Sequence, residues 1–205
     1  MKNILIIKAN PKSLHNSYGL QIGQAFIEAY IELNPNDKIT QINIFDMYIP
    51  EINQDMLEAW SKLSSGNTFF DLSNNQQALI SSSNEILEQF LEYDKFIFIT
   101  PLWNLSYPAR LKSYIDALCV EGKTFQYNEN GVEGLIKNKK VLHIHSSGGI
   151  HQGGHADRHL RDILGFIGLI DIQTLIIEGH DAKPNNALNI LNNAKKEAKN
   201  IALDF

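Results

Sequence analysis

An α/β fold, with five parallel strands in the common order 2-1-3-4-5 and helices wound on both faces, is what this chain predicts. Three observations predict it. Short apolar runs rich in Ile, Leu, Val or Phe alternate along the chain with longer segments of helical periodicity. That alternation builds a parallel sheet, and right-handed crossovers place the helices on both faces. With 205 residues, 43% hydrophobic and 20% charged, the chain is long enough for a sizeable core. Residues 1–205 are therefore expected to form one doubly wound domain.

The elements follow in order. Ile4-Leu5-Ile6-Ile7 is the first strand. Tyr18 to Leu33 carries apolar residues at helical spacing and stops at Asn34-Pro35, because the residue before proline avoids the helical region. Lys38 to Phe45, with Ile39, Ile42, Ile44 and Phe45, is a more mixed strand suited to an edge. Residues 46–94 exceed a minimal crossover and predict two helices, roughly Asn53 to Leu63 and Asn74 to Tyr93. Lys95 to Thr100 is the third strand. Pro108 to Val120 repeats Leu111, Tyr114, Ile115 and Leu118 on one helical face. Residues 121–139, with Gly122, Asn128-Glu129-Asn130-Gly131 and Gly134, predict an ordered loop or hairpin. Lys140 to His145 is the fourth strand and His155 to Ile167, leading into Gly168, the next helix. Asp171 to Glu178 and Ala187 to Ala202 complete the pattern. Apart from the second, the strands are apolar runs of the kind covered on both faces.

Composition excludes several classes. A formal net charge of −5 offers no basic surface for nucleic acid. The single cysteine, Cys119, cannot form an internal disulfide or a zinc cluster, and its place beside Leu118 suits packing. No apolar run approaches the ~20 residues needed to span a bilayer, so no membrane segment is expected. The strand-like start at Ile4 leaves no signal-peptide layout, and a cytoplasmic protein is expected.

In an open parallel sheet, ligands bind beyond the carboxyl ends of the strands, where the strand order reverses. There the loops after the first, third and fourth strands converge. The first, Ala9-Asn10-Pro11-Lys12-Ser13-Leu14-His15-Asn16-Ser17, runs into a helix that Asn16 or Ser17 can cap. Its free N–H groups and positive dipole end suit a phosphate, although an ordinary cap would look the same. It matches neither the Walker loop nor the dinucleotide fingerprint. The second, Pro101-Leu102-Trp103-Asn104-Leu105-Ser106-Tyr107-Pro108, offers an aromatic wall for a planar ring, or simply a Trp capping the core. The third, Ser146-Ser147-Gly148-Gly149-Ile150-His151-Gln152-Gly153-Gly154, has four glycines in nine residues, which lets backbone approach a ligand closely. His151 within it is a donor near such a ligand or a solvated loop residue.

Other chemistries fit less well. His143 and His145 are two apart on a strand, and His155 and His159 are four apart on a helix. Neither pair has a third converging ligand or a carboxylate base, so no metal site is expected. The Gly-x-Ser-x-Gly elbow of a serine hydrolase is absent.

The same loops carry a family resemblance. Pro101 to Leu105 with Leu111-Lys112-Ser113-Tyr114-Ile115-Asp116, and Ser146 to His151, resemble the FMN-dependent NADH azoreductases and quinone oxidoreductases. So do Thr124-Phe125-Gln126-Tyr127, Asn130 to Leu135, and Leu164-Gly165-Phe166-Ile167-Gly168. The likeness runs over nearly the whole chain in order and implies a flavodoxin-like fold. It implies FMN, with its phosphate at Asn10 and the Asn16-Ser17-Tyr18 helix start. Leu102, Trp103, Asn104 and Leu105 would line the isoalloxazine and ribityl region. Ser146, Ser147, Gly148, Gly149 and His151 would approach the ring. It also implies NADH or NADPH as electron donor and quinone or azo compounds as acceptors, taking turns at one site. A homodimer is implied, with Tyr127 and Phe166 lining the site at its interface. Trp103 in place of a more familiar Tyr, Ser147 in place of a frequent Arg, and the Asn10-Pro11-Lys12 version of the first loop depart from the pattern. An electron shuttle resembling flavodoxin is the non-enzyme alternative; the Tyr-bearing insertion and Gly-rich loop argue against it.

Overall fold

The computed structural model describes residues 1–205. Five parallel strands form the main sheet: β1 (Asn3–Lys8), β2 (Lys38–Asn43), β3 (Lys95–Pro101), β6 (Lys140–Ser147) and β7 (Asp171–Glu178). Their order is β2-β1-β3-β6-β7, which is the expected 2-1-3-4-5 once the hairpin strands β4 (Phe125–Asn128) and β5 (Gly131–Gly134) are set aside. The helices are α1 (Tyr18–Leu33), α2 (Gln54–Ser64), α3 (Asn74–Leu91), α4 (Ala109–Leu118), α5 (Gly154–Phe166) and α6 (Ala187–Asp204).

The sheet divides two cores. One face packs Ile4, Ile6, Ile97, Ile99, Leu142 and Ile144 against α1 and α6. The other packs Leu5, Ile7, Phe96, Phe98 and Val141 against α3, α4 and α5. This is the period of two read through a sheet buried on both sides. Helix α1 lies close because it carries glycine where it crosses the sheet. A Cβ on Gly19 would stand 2.9 Å from Ser146 Oγ, so the start of α1 sits directly over the end of β6.

Several boundaries differ from the sequence reading, each for a local reason. Strand β2 stops at Asn43, short of Phe45, because the Asn43 side chain accepts the Phe45 N–H (3.1 Å) and turns the chain. Strand β6 runs on to Ser147 because β7 pairs with it as far as Glu178. Ser146 and Ser147 are therefore strand residues rather than loop residues. Strand β7 is the second edge, and Ile176 on its outer face is exposed rather than covered. Residues 46–94 do hold two helices, and 121–139 the β4–β5 hairpin. Helix α5 ends with Leu169 N–H on Leu164 O and Gly168 N–H on Gly165 O, with Gly168 at φ 102°. That is the paired termination a left-handed glycine permits.

Candidate functional site at the carboxyl end of the sheet

A cleft of about 310 Å³ opens where the strands end, lined from four loops. Asn10, Lys12, Asn16, Ser17 and Tyr18 come from the first loop and helix start, Pro101, Leu102 and Trp103 from the end of β3 and the second loop, and Ser146 and Gly148 from the end of β6 and the start of the third loop. The fourth contribution is His180 and Asp181, after β7. The sequence reading overlooked these two; their signal was only a histidine and an aspartate following the last strand. A larger groove of about 630 Å³ runs between α1 and α6 and reaches Leu14 and His15 of the first loop, among exposed charges such as Lys195 and Lys199.

The first loop carries hydrogen-bond donors that the chain does not use up. Ser17, rather than Asn16, caps α1: its Oγ accepts from Leu20 N–H (3.3 Å) and from Asn10 Nδ2 (2.9 Å). Asn10 Oδ1 in turn accepts from Lys12 N–H (3.0 Å). This arrangement leaves the Ser17 hydroxyl proton and the second Asn10 amide proton free to donate. The first-turn N–H groups of Tyr18 and Gly19 have no helical acceptor either. Asn10 and Ser17 are both buried, so these donors are held in place by packing. Asn16 is exposed at the rim and Tyr18 half-buried.

The second loop is a tight hairpin. Trp103 and Ser106 exchange backbone hydrogen bonds (2.7 and 3.0 Å) around Asn104 and Leu105, both left-handed at φ 49° and 66°. Two left-handed central residues make the primed turn usually reserved for Asn-Gly. Asn104 tolerates this, but a leucine there is strained by about 1–3 kcal/mol. Leu105 is also 61% exposed, so no packing rewards the strain. Strain of this kind persists where ligands bind. Trp103, 39% exposed, meets Phe45 at 6.1 Å and 60° and lines the cleft. Leu102 N–H on Ser146 O (2.8 Å) ties this loop to the third.

The third loop is pinned from below. Glu178 accepts the N–H groups of His151, Gln152 and Gly153 (2.8–2.9 Å). Burial raises the Glu178 carboxyl, but these three N–H groups outweigh it and hold the group below its usual range. A Cβ at Gly148 would collide with the Asp181 carboxylate, the end of an exposed side chain that would have to swing aside. At 149 a Cβ would meet only the far end of the His151 ring, 2.7 Å away. His151 is exposed and folds back over this glycine.

Beneath the third loop lies a buried polar chain. Asp157 Oδ1 meets His143 Nδ1 (2.8 Å), His143 Nε2 meets Thr100 Oγ1 (2.8 Å), and Thr100 Oγ1 meets His145 Nδ1 (2.9 Å). A carboxylate only accepts, so His143 carries its proton on Nδ1, Thr100 donates to His143, and His145 donates to Thr100. His145 Nε2 is left as a buried acceptor without a partner. Burial lowers both histidines, His145 to about 4 with help from His143, so both are neutral at pH 7. Burial raises Asp157, yet hydrogen bonds from His143, Thr174 and Arg161 outweigh it and hold the carboxyl far down. His159 bonds the Tyr107 hydroxyl (3.0 Å). No cluster of three or more His, Cys, Asp or Glu side chains has metal-binding geometry.

Tyr127 and Phe166 stand apart from the cleft within one chain. Phe125 joins them, 4.4 Å from the Phe166 ring and edge-on to Tyr127 at 5.7 Å, where the hairpin meets the end of α5. Tyr127 is 64% exposed.

Comparison with known proteins gives the family of the chain. A family described as having a flavodoxin-like fold matches residues 2–202. An FMN-dependent NADH:quinone oxidoreductase from Staphylococcus aureus (strain JH9) is 43% identical over 208 aligned positions, spanning 97% of this chain and 99% of the relative. A crystal structure of an azoreductase from Bacillus anthracis strain Sterne is similar with a TM-score of 0.92 and 32% identity, covering 100% of both chains. An FMN-dependent NADH-azoreductase from Bacillus anthracis strain Ames Ancestor, solved in complex with FMN, has a TM-score of 0.91 and 31% identity, covering 100% of this chain and 99% of that one.

Proposed function

The chain belongs to the flavodoxin-like fold family matched across residues 2–202, and from that premise we propose that it is an FMN-dependent oxidoreductase that passes electrons from NADH to quinones and azo compounds. The observation that carries the reading is the donor set at the start of α1. Spare protons on Asn10 and Ser17 and the free first-turn N–H groups face one cleft and fit a phosphate ester. Trp103, at the head of the strained turn, and Gly148, just past the end of β6, line the same cleft, which fits a flat ring extending from that phosphate. Bound there, FMN would supply two-electron redox chemistry between a nicotinamide and an acceptor.

The chain's own groups do the rest. Asn10, Asn16, Ser17 and Tyr18 hold the phosphate; Leu102, Trp103, Asn104 and Leu105 line the ribityl and ring region. Ser146, Ser147, Gly148 and Gly149 bring backbone close to the ring, and His151 stands as a donor beside it. We place residues 1–205 in one domain and the protein in the cytoplasm, where a lone free thiol stays reduced. No helix is long and apolar enough to cross a membrane. We further propose a homodimer, in which the exposed Tyr127 and the half-buried Phe166 of one protomer complete the site of the other. Apolar, planar walls of that kind tolerate varied flat acceptors.

No dinucleotide-binding unit is present beside the cleft, so donor and acceptor must take turns. The test varies NADH at several fixed quinone concentrations: parallel double-reciprocal lines are expected. Intersecting lines would refute alternation, and absence of NADH-dependent turnover by the purified protein would refute the enzyme. Sedimentation should give a species of two chains.

A further inference from the structure

We propose that His180, in the loop after β7, is a further phosphate-binding residue that lets the site distinguish FMN from the unphosphorylated flavin. The inference rests on the FMN reading above. His180 lines the cleft beside the first loop, and its ring stacks on Tyr18, the first residue of α1, at 4.2 Å and 18°. The stack fixes the plane of the imidazole against the helix start. The loop itself is rigid: Gly179 N–H bonds Ser147 O and Gly149 O, and Asp181 and Ala182 N–H bond Gly148 O, at 2.9–3.1 Å. It is thus a fourth wall built onto the end of β6.

The ring nitrogens are unequal. Nδ1 is buried and has no partner, whereas Nε2 stands 4.0 Å from Asp181 Oδ1. Nδ1 is unpaired in either neutral tautomer, and a proton on Nε2 is the arrangement that places the donor on the Asp181 side of the ring, among the residues that line the cleft. Burial favours that neutral form; Asp181 opposes the effect and Lys12 adds to it. Asp181 is 83% exposed and largely screened. His180 therefore offers the phosphate a neutral N–H, complementing the helix N–H groups and the charge of Lys12.

The experiment titrates apoprotein with FMN and separately with riboflavin, following flavin fluorescence. His180→Phe keeps a ring to stack on Tyr18 and removes both nitrogens. It should weaken FMN at least about tenfold, the lower end for a hydrogen bond to a charged group, and leave riboflavin unchanged. His180→Gln, whose amide can reach the position of Nε2, should recover part of the loss. The unaltered protein gives an independent readout: the His180 ring 15N signals should shift with FMN and not with riboflavin. Equal weakening of both flavins by His180→Phe, or ring signals indifferent to FMN, would overturn the assignment of His180. If the unaltered chain binds riboflavin and FMN equally, the phosphate role fails while flavin binding stands. If it binds neither, the FMN reading fails with it.

Discussion

The two ends of the sheet are built on opposite principles. At the amino end, polar groups close on one another. Asp37 accepts from Lys2 N–H (2.7 Å) and the Tyr30 hydroxyl (2.8 Å), Lys95 reaches that same hydroxyl (2.9 Å), and Asp94 accepts Asn3 N–H (2.8 Å). At the carboxyl end, donors are left over and backbone is strained. Three of the four non-glycine residues with positive φ, namely Asn104, Leu105 and Gln152, lie there. So do His145 Nε2 and His180 Nδ1, two of the three buried polar side-chain atoms without partners. Unpaired buried groups and strained backbone of this kind cost stability in the free protein. The amino end should answer to stability measurements and the carboxyl end to ligand measurements.

The largest effect expected at the carboxyl end is on affinity. Changing Asn10 and Ser17 together to Ala removes two donors to a phosphate, each worth roughly 1.5–3 kcal/mol. FMN affinity should fall about 100-fold or more in a fluorescence titration. The loss of the Ser17 cap should cost only about 1 kcal/mol of folding stability. Unchanged FMN affinity would move the phosphate elsewhere.

A smaller effect tests the buried chain under the third loop. Asp157→Asn puts an amide where only an acceptor fits, with His143, Thr174 and Arg161 all donating to it. Denaturant unfolding should show a loss of roughly 2 kcal/mol. The pH dependence of the unaltered protein has a definite sign. His143 and His145 bind protons less readily folded than unfolded, so stability is full above the ordinary histidine value near 6.5 and falls as pH drops from there toward about 4. Asp157, depressed when folded, loses its contribution below the ordinary carboxylate range, in the same direction. A protein more stable at pH 5 than at pH 7 would contradict neutral histidines.

How far this contrast could be read from sequence depends on the kind of interaction. The doubly wound sheet was legible in Ile4 to Ile7, Lys95 to Thr100 and the helical repeats, because burial leaves a periodic trace. The three convergent loops were legible from topology, since a parallel sheet gathers its ligands at one end. The cap at Ser17 was one of two possibilities, decided by the Asn10 amide seven residues away. His180 and the Asp157–His143–Thr100–His145 chain were not legible. They join residues distant in sequence, His180 to Tyr18 by stacking and Thr100 to His145 through a pairing that only the register of β3 and β6 creates. Glycine-rich spacing at 148 and 149 was read as room for a ligand; in the chain itself, the side-chain ends of Asp181 and His151 lie over these two positions.

The smallest effect belongs to the amino end. Asp37→Ala should lower stability by about 1 kcal/mol, as expected for part-exposed hydrogen bonds, and leave FMN affinity untouched. A thermal melt paired with the flavin titration checks both halves. A change in affinity there would erase the distinction between the two ends.

The most direct measurement is of the cofactor itself. Protein purified from its expression host should be yellow, and denaturation should release about one FMN per chain, identified by chromatography. A colourless protein that fails to take up FMN on titration would contradict the central claim that the carboxyl end of this sheet is a flavin site.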